Sequence, residues 1–368
     1  MVKTSEMLPP PTDLSWEPPF DEEPAPGRNR WAWGIPLALV TSVLVALAFI
    51  QLPYYAISPG EARQVNDLVA VTGGEVYLPD GELLLTTVAL RHVNAYEALI
   101  GWIDGDTEVV HEDLLFPPEI DDRRAYNLAL MRSSKETALL VAFRRLGHPV
   151  TERGEGALVL AVEPGFPAQG LLEPGDVVVG IDGQKITIGD QAVSLLAARA
   201  PGDRITLDVL SLTTEQTRDV TVVLAAREDG TPVLGVHLQT FAPRFDFPFD
   251  VTIDSGSIGG PSAGLAFALA VIDHLTPGEL TGGTKVAVTG TIDVDGTIGP
   301  VGGVVQKVAA VKESGASVFL VPADEADEAA ARAGSAVRVI GVATLDEALA
   351  ALAELGGNAN ELPAPNPG

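Results

Sequence analysis

The run Trp31–Leu52, WAWGIPLALVTSVLVALAFIQL, carries no charged residue and constrains this chain more than any other stretch. As a helix it extends roughly 33 Å, enough to cross the hydrocarbon core of a bilayer. A segment there must pair every backbone group within itself, so the run reads as one N-terminal transmembrane helix over 31–52. Trp31 and Trp33 at one end and Tyr54 and Tyr55 at the other suit the two interfaces. Arg28 and Arg30 lie just ahead, which predicts a cytoplasmic N-terminus and an extracytoplasmic remainder: a single-pass protein of the cell membrane. Ala46-Leu47-Ala48 resembles a signal-peptide cleavage site. A signal peptide's apolar core is only about 7–15 residues, however, and the stretch ahead of this one is long and acidic. An uncleaved anchor is therefore expected.

Residues 1–30 hold seven prolines and six acidic residues with almost no apolar periodicity, the pattern of a disordered cytoplasmic tail. The whole chain of 368 residues has a formal net charge of -27, which argues against a nucleic-acid partner because phosphate is repelled. There is no cysteine, so disulfides, thiolate metal sites and cysteine nucleophiles are excluded. No motif calls for a cofactor or a metal.

Residues 53–150 read as short strands and turns, among them Pro79-Asp80-Gly81, followed by an amphipathic helix over Asp122–Leu146. This α+β segment is expected to pack with the region after it. Residues 151–230 have a clearer rhythm. "ALVLAV" and "VVVGIDG" are strands, Asp190 caps a helix to Ala200, and "RITLDVLSL" and "RDVTVVLAAR" close as a pair. Residues 240–355 carry the chemistry, and residues 356–368 read as a flexible tail.

Within "IDSGSIGGPSAGLAFALAVID", Gly260-Pro261 is a helix-start signal, and Leu265, Leu269 and Ile272 mark a buried helix to about His274. Ser262 then falls in the first turn, where backbone N–H groups lack partners and the helix dipole is positive. Those donors suit an oxyanion while a hydroxyl attacks a carbonyl. Small residues that allow close packing explain the same string, and both readings stand on the hexapeptide alone. The string also matches G-x-S-x-G, but the elbow fold needs a later histidine, and His274 lies roughly 18 Å along the same helix. His92, His111, His148 and His237 sit in no suggestive context. Of six lysines, Lys307 has Val304 and Val311 three residues before and four after it, so its stem lies along an apolar stripe. Burial there lowers a lysine pKa and supplies a neutral amine base, though a lysine snorkelling from the core edge fits equally.

Two resemblances extend this. "EPGFPAQGLLEPGDVVVGIDGQKI" resembles a PDZ domain of the bacterial protease type, which implies capture of an extended peptide at a sheet edge. The usual carboxylate loop is absent at "TERGEGA", and "VLGV" at Val233–Val236 can serve after a circular shift of the strands. "SGSIGGPSAGLAFALAVID" followed by "VAVTGTIDVDGTIGPVGGVVQKVAAVKESG" resembles the proteolytic domain of Lon-type Ser/Lys peptidases. The resemblance implies Ser262 as nucleophile and Lys307 as general base, with Thr289 beside the dyad and Gly260, Pro261 and Ala263 around the oxyanion site. Gly259 stands where many such domains carry an acid, and Asp254 is the nearest one. No G-x-x-x-x-G-K-[ST] phosphate loop occurs in the sequence. The whole resembles membrane-anchored Lon-like proteases with a PDZ domain. It implies an α/β proteolytic domain, a PDZ-like β-rich domain, and an ATP-independent serine endopeptidase acting on extracytoplasmic proteins or peptides. A homo-oligomer is implied by the same resemblance. The rival expectations are a non-catalytic membrane-tethered PDZ scaffold and a histidine-dependent esterase.

Overall fold

A computed structural model describes residues 31–363 apart from 80, 118, 119 and 121, with only the backbone described at 31–33. The expected N-terminal tail, the middle of the Pro79-Asp80-Gly81 turn and residues 364–368 fall outside the described residues. Helix α1 spans Trp31–Phe49. Among the described residues, no helix is long and apolar enough to cross a membrane. The helix is shorter than the expected 31–52 because Gln51 and Leu52 already belong to a strand, β1 (Gln51–Gln64).

The chain continues through β2 (Val69–Thr72), β3 (Glu82–Asn94), helix α2 (Ala95–Gly101), β4 (Glu108–His111) and the long helix α3 (Arg123–Arg145). It then enters an excursion: β5 (Thr151–Arg153), β6 (Ala157–Val162), β7 (Asp176–Ile181), α4 (Gly189–Ala197), β8 (Arg204–Ser211), β9 (Thr217–Val223), β10 (Val236–Thr240) and β11 (Arg244–Asp246). The chain closes with β12 (Asp250–Ile253), α5 (Gly264–Leu275), β13 (Lys285–Val288), α6 (Val304–Ser314), β14 (Val318–Pro322), α7 (Ala326–Ala333), β15 (Arg338–Val342) and α8 (Leu345–Glu354).

The principal sheet has the order β15-β14-β13-β3-β1-β4. Residues before the excursion thus supply half of the sheet that residues after it complete. β13 runs parallel to β3, with Val288 opposite Leu85, and parallel to β14 on its other side. The segment expected to pack with the PDZ-like region instead joins the proteolytic layer. Nothing in local pattern reveals this, because the pairing of Val286 with Leu83 spans some two hundred residues of chain.

Strand alternation fixes the layers. Leu83, Leu85, Val286, Val288, Val318 and Leu320 face one side, packed against α3, α5 and α8. Leu84, Ala287, Phe319 and Val321 face the other, against α6 and α7. Helix α5 is apolar and buried from Gly264 to Ile272, as a helix between a sheet and another helix must be, and Asp273 and His274 near its end are buried polar groups. Residues 356–363, expected with the tail to be flexible, pack back instead: Ala359 is buried and Asn358 donates to the Pro277 carbonyl.

The excursion forms its own sheet, β9-β8-β7-β6-β10, around a separate core that includes Val159, Ile181, Leu207 and Leu234. A two-stranded ribbon, β5 with β11, carries the chain in and out. Helix α4 starts at Gly189, not at a cap formed by Asp190, because the Thr240 hydroxyl accepts the Gly189 N–H at 3.0 Å. β10 follows the Val233–Val236 segment and pairs with β6 as the edge strand.

Candidate active site

Ser262 sits in a turn between β12 and α5, just ahead of the helix rather than within its first turn. The turn is held from α3, which sequence reasoning had treated only as a packing helix. Gly260 donates its N–H to the Asn127 carbonyl at 2.9 Å. Ser134 Oγ donates to the Pro261 carbonyl at 2.9 Å. Lys135 Nζ donates to the Ile253 carbonyl at 3.1 Å, at the start of the same loop. Asn127, Ser134 and Lys135 share one helical face at spacings of seven and eight. The available signal was a small polar residue, Ser134, on the apolar stripe of α3.

Backbone freedom matters at two glycines here. Gly260 takes φ 85°, which turns the chain ahead of Pro261. A Cβ on Gly264 would lie 2.7 Å from Ile292 Cγ2 and 3.0 Å from Ser134 Oγ, so only glycine lets α5 start this close to its neighbours.

Lys307 is 1 % exposed, on the face of α6 that turns inward. Burial pushes its ammonium down from the ordinary 10.5 to about 7, and the Glu325 carboxylate opposes that fall. Its Nζ donates to Thr289 Oγ1 at 2.9 Å. Thr289 Oγ1 in turn donates to the Ser262 carbonyl at 3.2 Å, and the Gly290 N–H donates to that carbonyl at 3.0 Å. The fold therefore brings Ser262, Thr289 and Lys307 together through one hydrogen-bonded chain. Among the described residues no hydrogen bond joins Ser262 Oγ to Lys307 Nζ directly.

The direction of these bonds has a chemical consequence. The Thr289 hydroxyl proton is spent on the Ser262 carbonyl, so the amine must supply the proton for its bond to Thr289. A neutral Lys307 then keeps its lone pair unshared, ready for a proton from elsewhere.

Of the expected oxyanion donors, Gly260 is already committed to Asn127 and Pro261 has no N–H. Among the described residues the N–H groups of Ser262 and Ala263 meet no acceptor. Asp254 is exposed and accepts the N–H of Gly256, and it is absent from the lining of the cleft. Glu325, which sequence reasoning missed, accepts the Val301 N–H at 3.0 Å and so ties the loop ahead of α6.

Ser262 lines a cleft of about 750 Å³ between β3, the N-terminal half of α3 and the loops around 258–263 and 300–302. Its walls include Phe116, Leu128, Met131 and Ile258, with Tyr55 and Arg123 at one side. No histidine lines it; His274, buried in α5, is engaged with the Ala270 carbonyl at 2.9 Å.

Residues 247–353 match the Lon protease (S16) C-terminal proteolytic domain, and residues 139–222 match the PDZ domain. The chain thus carries a serine-type endopeptidase domain together with a PDZ domain. Among curated relatives, Lon protease 2 of Bacillus subtilis is 33% identical over 118 residues, 32% of this chain and 20% of that protein. The Lon protease of Phenylobacterium zucineum is 31% identical over 142 residues, 38% of this chain and 18% of its own. The chain spans only about a fifth of these relatives' length. Among solved structures, the PDZ domain of an SdrC-like protein from Listeria innocua is 26% identical, covering 23% of this chain and 92% of that one with a TM-score of 0.21.

Proposed function

We propose that this chain is a membrane-held, ATP-independent serine endopeptidase that hydrolyses peptide bonds with Ser262 and Lys307. The observation that carries the reading is the state of Lys307: a buried amine, pushed to about 7, fixed by Thr289 with its lone pair left over. Ser262 Oγ attacks the scissile carbonyl while Lys307 takes its proton. The N–H groups of Ser262 and Ala263 are the donors for the oxyanion. The protonated lysine then gives its proton to the leaving amine, and a water activated by the same amine releases the acyl group. Thr289 keeps the amine on one side of the serine throughout.

The uncharged run at 31–52 supports anchoring through α1, and the arginines before it support an extracytoplasmic catalytic body. The absence of a phosphate loop from this sequence supports turnover without nucleotide. Edge strand β10, beside α4, is the candidate seat for an extended peptide.

The test is turnover of casein and of an internally quenched peptide by the full chain in non-ionic detergent, with and without ATP. The expected result is equal turnover in both and loss in Ser262→Ala and Lys307→Ala. Equal rates in all three proteins would leave a scaffold; turnover only with ATP would end the energy-independent reading.

A further inference from the structure

Helix α2 presents its apolar side outward. Tyr96, Leu99, Ile100 and, just past the helix end, Ile103 follow the i, i+3, i+4, i+7 spacing of one helical face. They are exposed to 38%, 44%, 47% and 79%, and Trp102 beside them to 61%. The opposite side is occupied: Ala98 is buried against Ala56 and Val93. Apolar residues at this spacing on a soluble surface would be turned inward, so the inverted pattern needs an apolar partner.

No charge interrupts the stripe. Glu97, the single acid of α2, is turned back onto the Asn94 N–H at 3.1 Å and Arg91 at 3.5 Å in a capping box. Asp104 is engaged with the Thr107 hydroxyl at 2.6 Å, and Asp106 with Arg332.

What lies next to the stripe identifies its partner. The Ala95 N–H donates to the Ile50 carbonyl at 2.8 Å, so α2 begins where α1 ends. Phe49, the last residue of α1, and Ile50 just beyond it are themselves exposed to 81% and 49%. The stripe therefore continues the apolar surface of α1. Its tryptophan and tyrosine are the residue types that settle at the level of lipid headgroups.

We propose that α2 seats its Tyr96–Leu99–Ile100–Ile103 face on the bilayer that holds α1, as an interfacial helix beside the anchor. The proposal rests on the membrane reading of α1. It also bears on substrate. Tyr55, at the side of the cleft, lies five residues beyond Ile50 along β1, at most about 17 Å by strand rise. Trp102 and Tyr54 meet edge to face at 6.4 Å, which ties the seated helix to that strand. The cleft is thus held close to the membrane surface, and the substrate class that fits is a membrane-proximal segment of a tethered protein.

The experiment uses the full chain with Trp16→Phe, Trp31→Phe and Trp33→Phe, which leaves Trp102 as the sole tryptophan of four. The protein is reconstituted in phosphatidylcholine vesicles with and without brominated acyl chains, floated, and its emission measured. The expected result is flotation with emission quenched by brominated lipid, as for a tryptophan at the interface. The added pair Leu99→Glu/Ile103→Glu should float equally and lose the quenching, while keeping turnover of a soluble peptide. Flotation without quenching in the parent protein overturns the α2 proposal while α1 anchoring stands. If an Ile103→Cys variant also crosslinks to itself, the face belongs to a second copy and the lipid proposal is likewise overturned. Failure to float overturns the anchoring reading and the proposal together.

Discussion

Replacing Lys307 by methionine should remove activity and, over a defined pH range, change stability in a direction opposite to most core polar substitutions. The fall of its pKa from 10.5 to about 7 disfavours the charged form by roughly 5 kcal/mol at 1.36 kcal/mol per pKa unit. Between those values the unfolded chain binds a proton at this site that the folded chain does not. Stability therefore rises with pH across that window. The cost of emptying the site on folding is about 3 kcal/mol at pH 8 and about 1 kcal/mol at pH 9.5. Methionine fills the volume, gives up one hydrogen bond worth about 1 kcal/mol, and has no proton to lose. Thr289 keeps its bond to the Ser262 carbonyl, so the substitution leaves no new unpaired donor. Lys307→Met is thus expected to be about 2 kcal/mol more stable than the parent at pH 8 and nearly equal at pH 9.5. Urea unfolding of both proteins in non-ionic detergent, at the two pH values, measures the difference directly. The comparison between proteins cancels the titrating groups that do not feel Lys307; Glu325 does feel it. A difference that stays the same at both pH values would refute the neutral-amine argument at its root.

The same amine sets the rate profile: kcat/KM for a peptide should rise through a single ionisation near 7 and level off above it, because protonated Lys307 cannot accept the serine proton; a profile flat from pH 6 to 8.5 would contradict this. Thr289→Val removes both the acceptor for Lys307 and the donor to Ser262, and should lower kcat by about tenfold or more with KM little changed; Thr289→Ser should restore most of the loss. Asp273 is buried and pushed up to about 7, mainly by burial, while the Leu280 N–H and Asn66 pull it down. Its raised pKa means that stability is lost as pH climbs from about 4 to 7. Asp273→Asn should therefore be more stable than the parent at pH 8, by roughly 4 kcal/mol at most, and equal near pH 4, by thermal unfolding.

Ser262 and Lys307 stood out in the sequence, one as a glycine-flanked serine before an apolar run and the other as a lysine between valines at helical spacing, but each pattern fitted plain packing equally and only the resemblance to Lon-type domains joined them. The layers were not legible, since Val286, Ala287 and Val288 are all apolar and only the structure sends Val286 and Val288 to one face and Ala287 to the other. What escaped depends on distant pairing. β1 and β3 were read as part of a separate segment, because their partner strand lies beyond the PDZ excursion. The grip of α3 on the serine turn escaped for the same reason: Asn127 acts through its carbonyl, which any residue possesses. The start of α5 was misplaced by two or three residues because proline at 261 fits a turn as well as a first helical position. Glu325 gave no signal, sitting among other acids of α7 and the turn before it.

The central claim, that Ser262 is the nucleophile, is tested most directly by trapping. A peptidyl boronate or β-lactone that inhibits turnover should add its mass to the fragment containing Ser262. It should leave Ser262→Ala unmodified, and react with Lys307→Met far more slowly. An adduct on any other residue, or turnover that persists with Ser262 unmodified, would contradict the account.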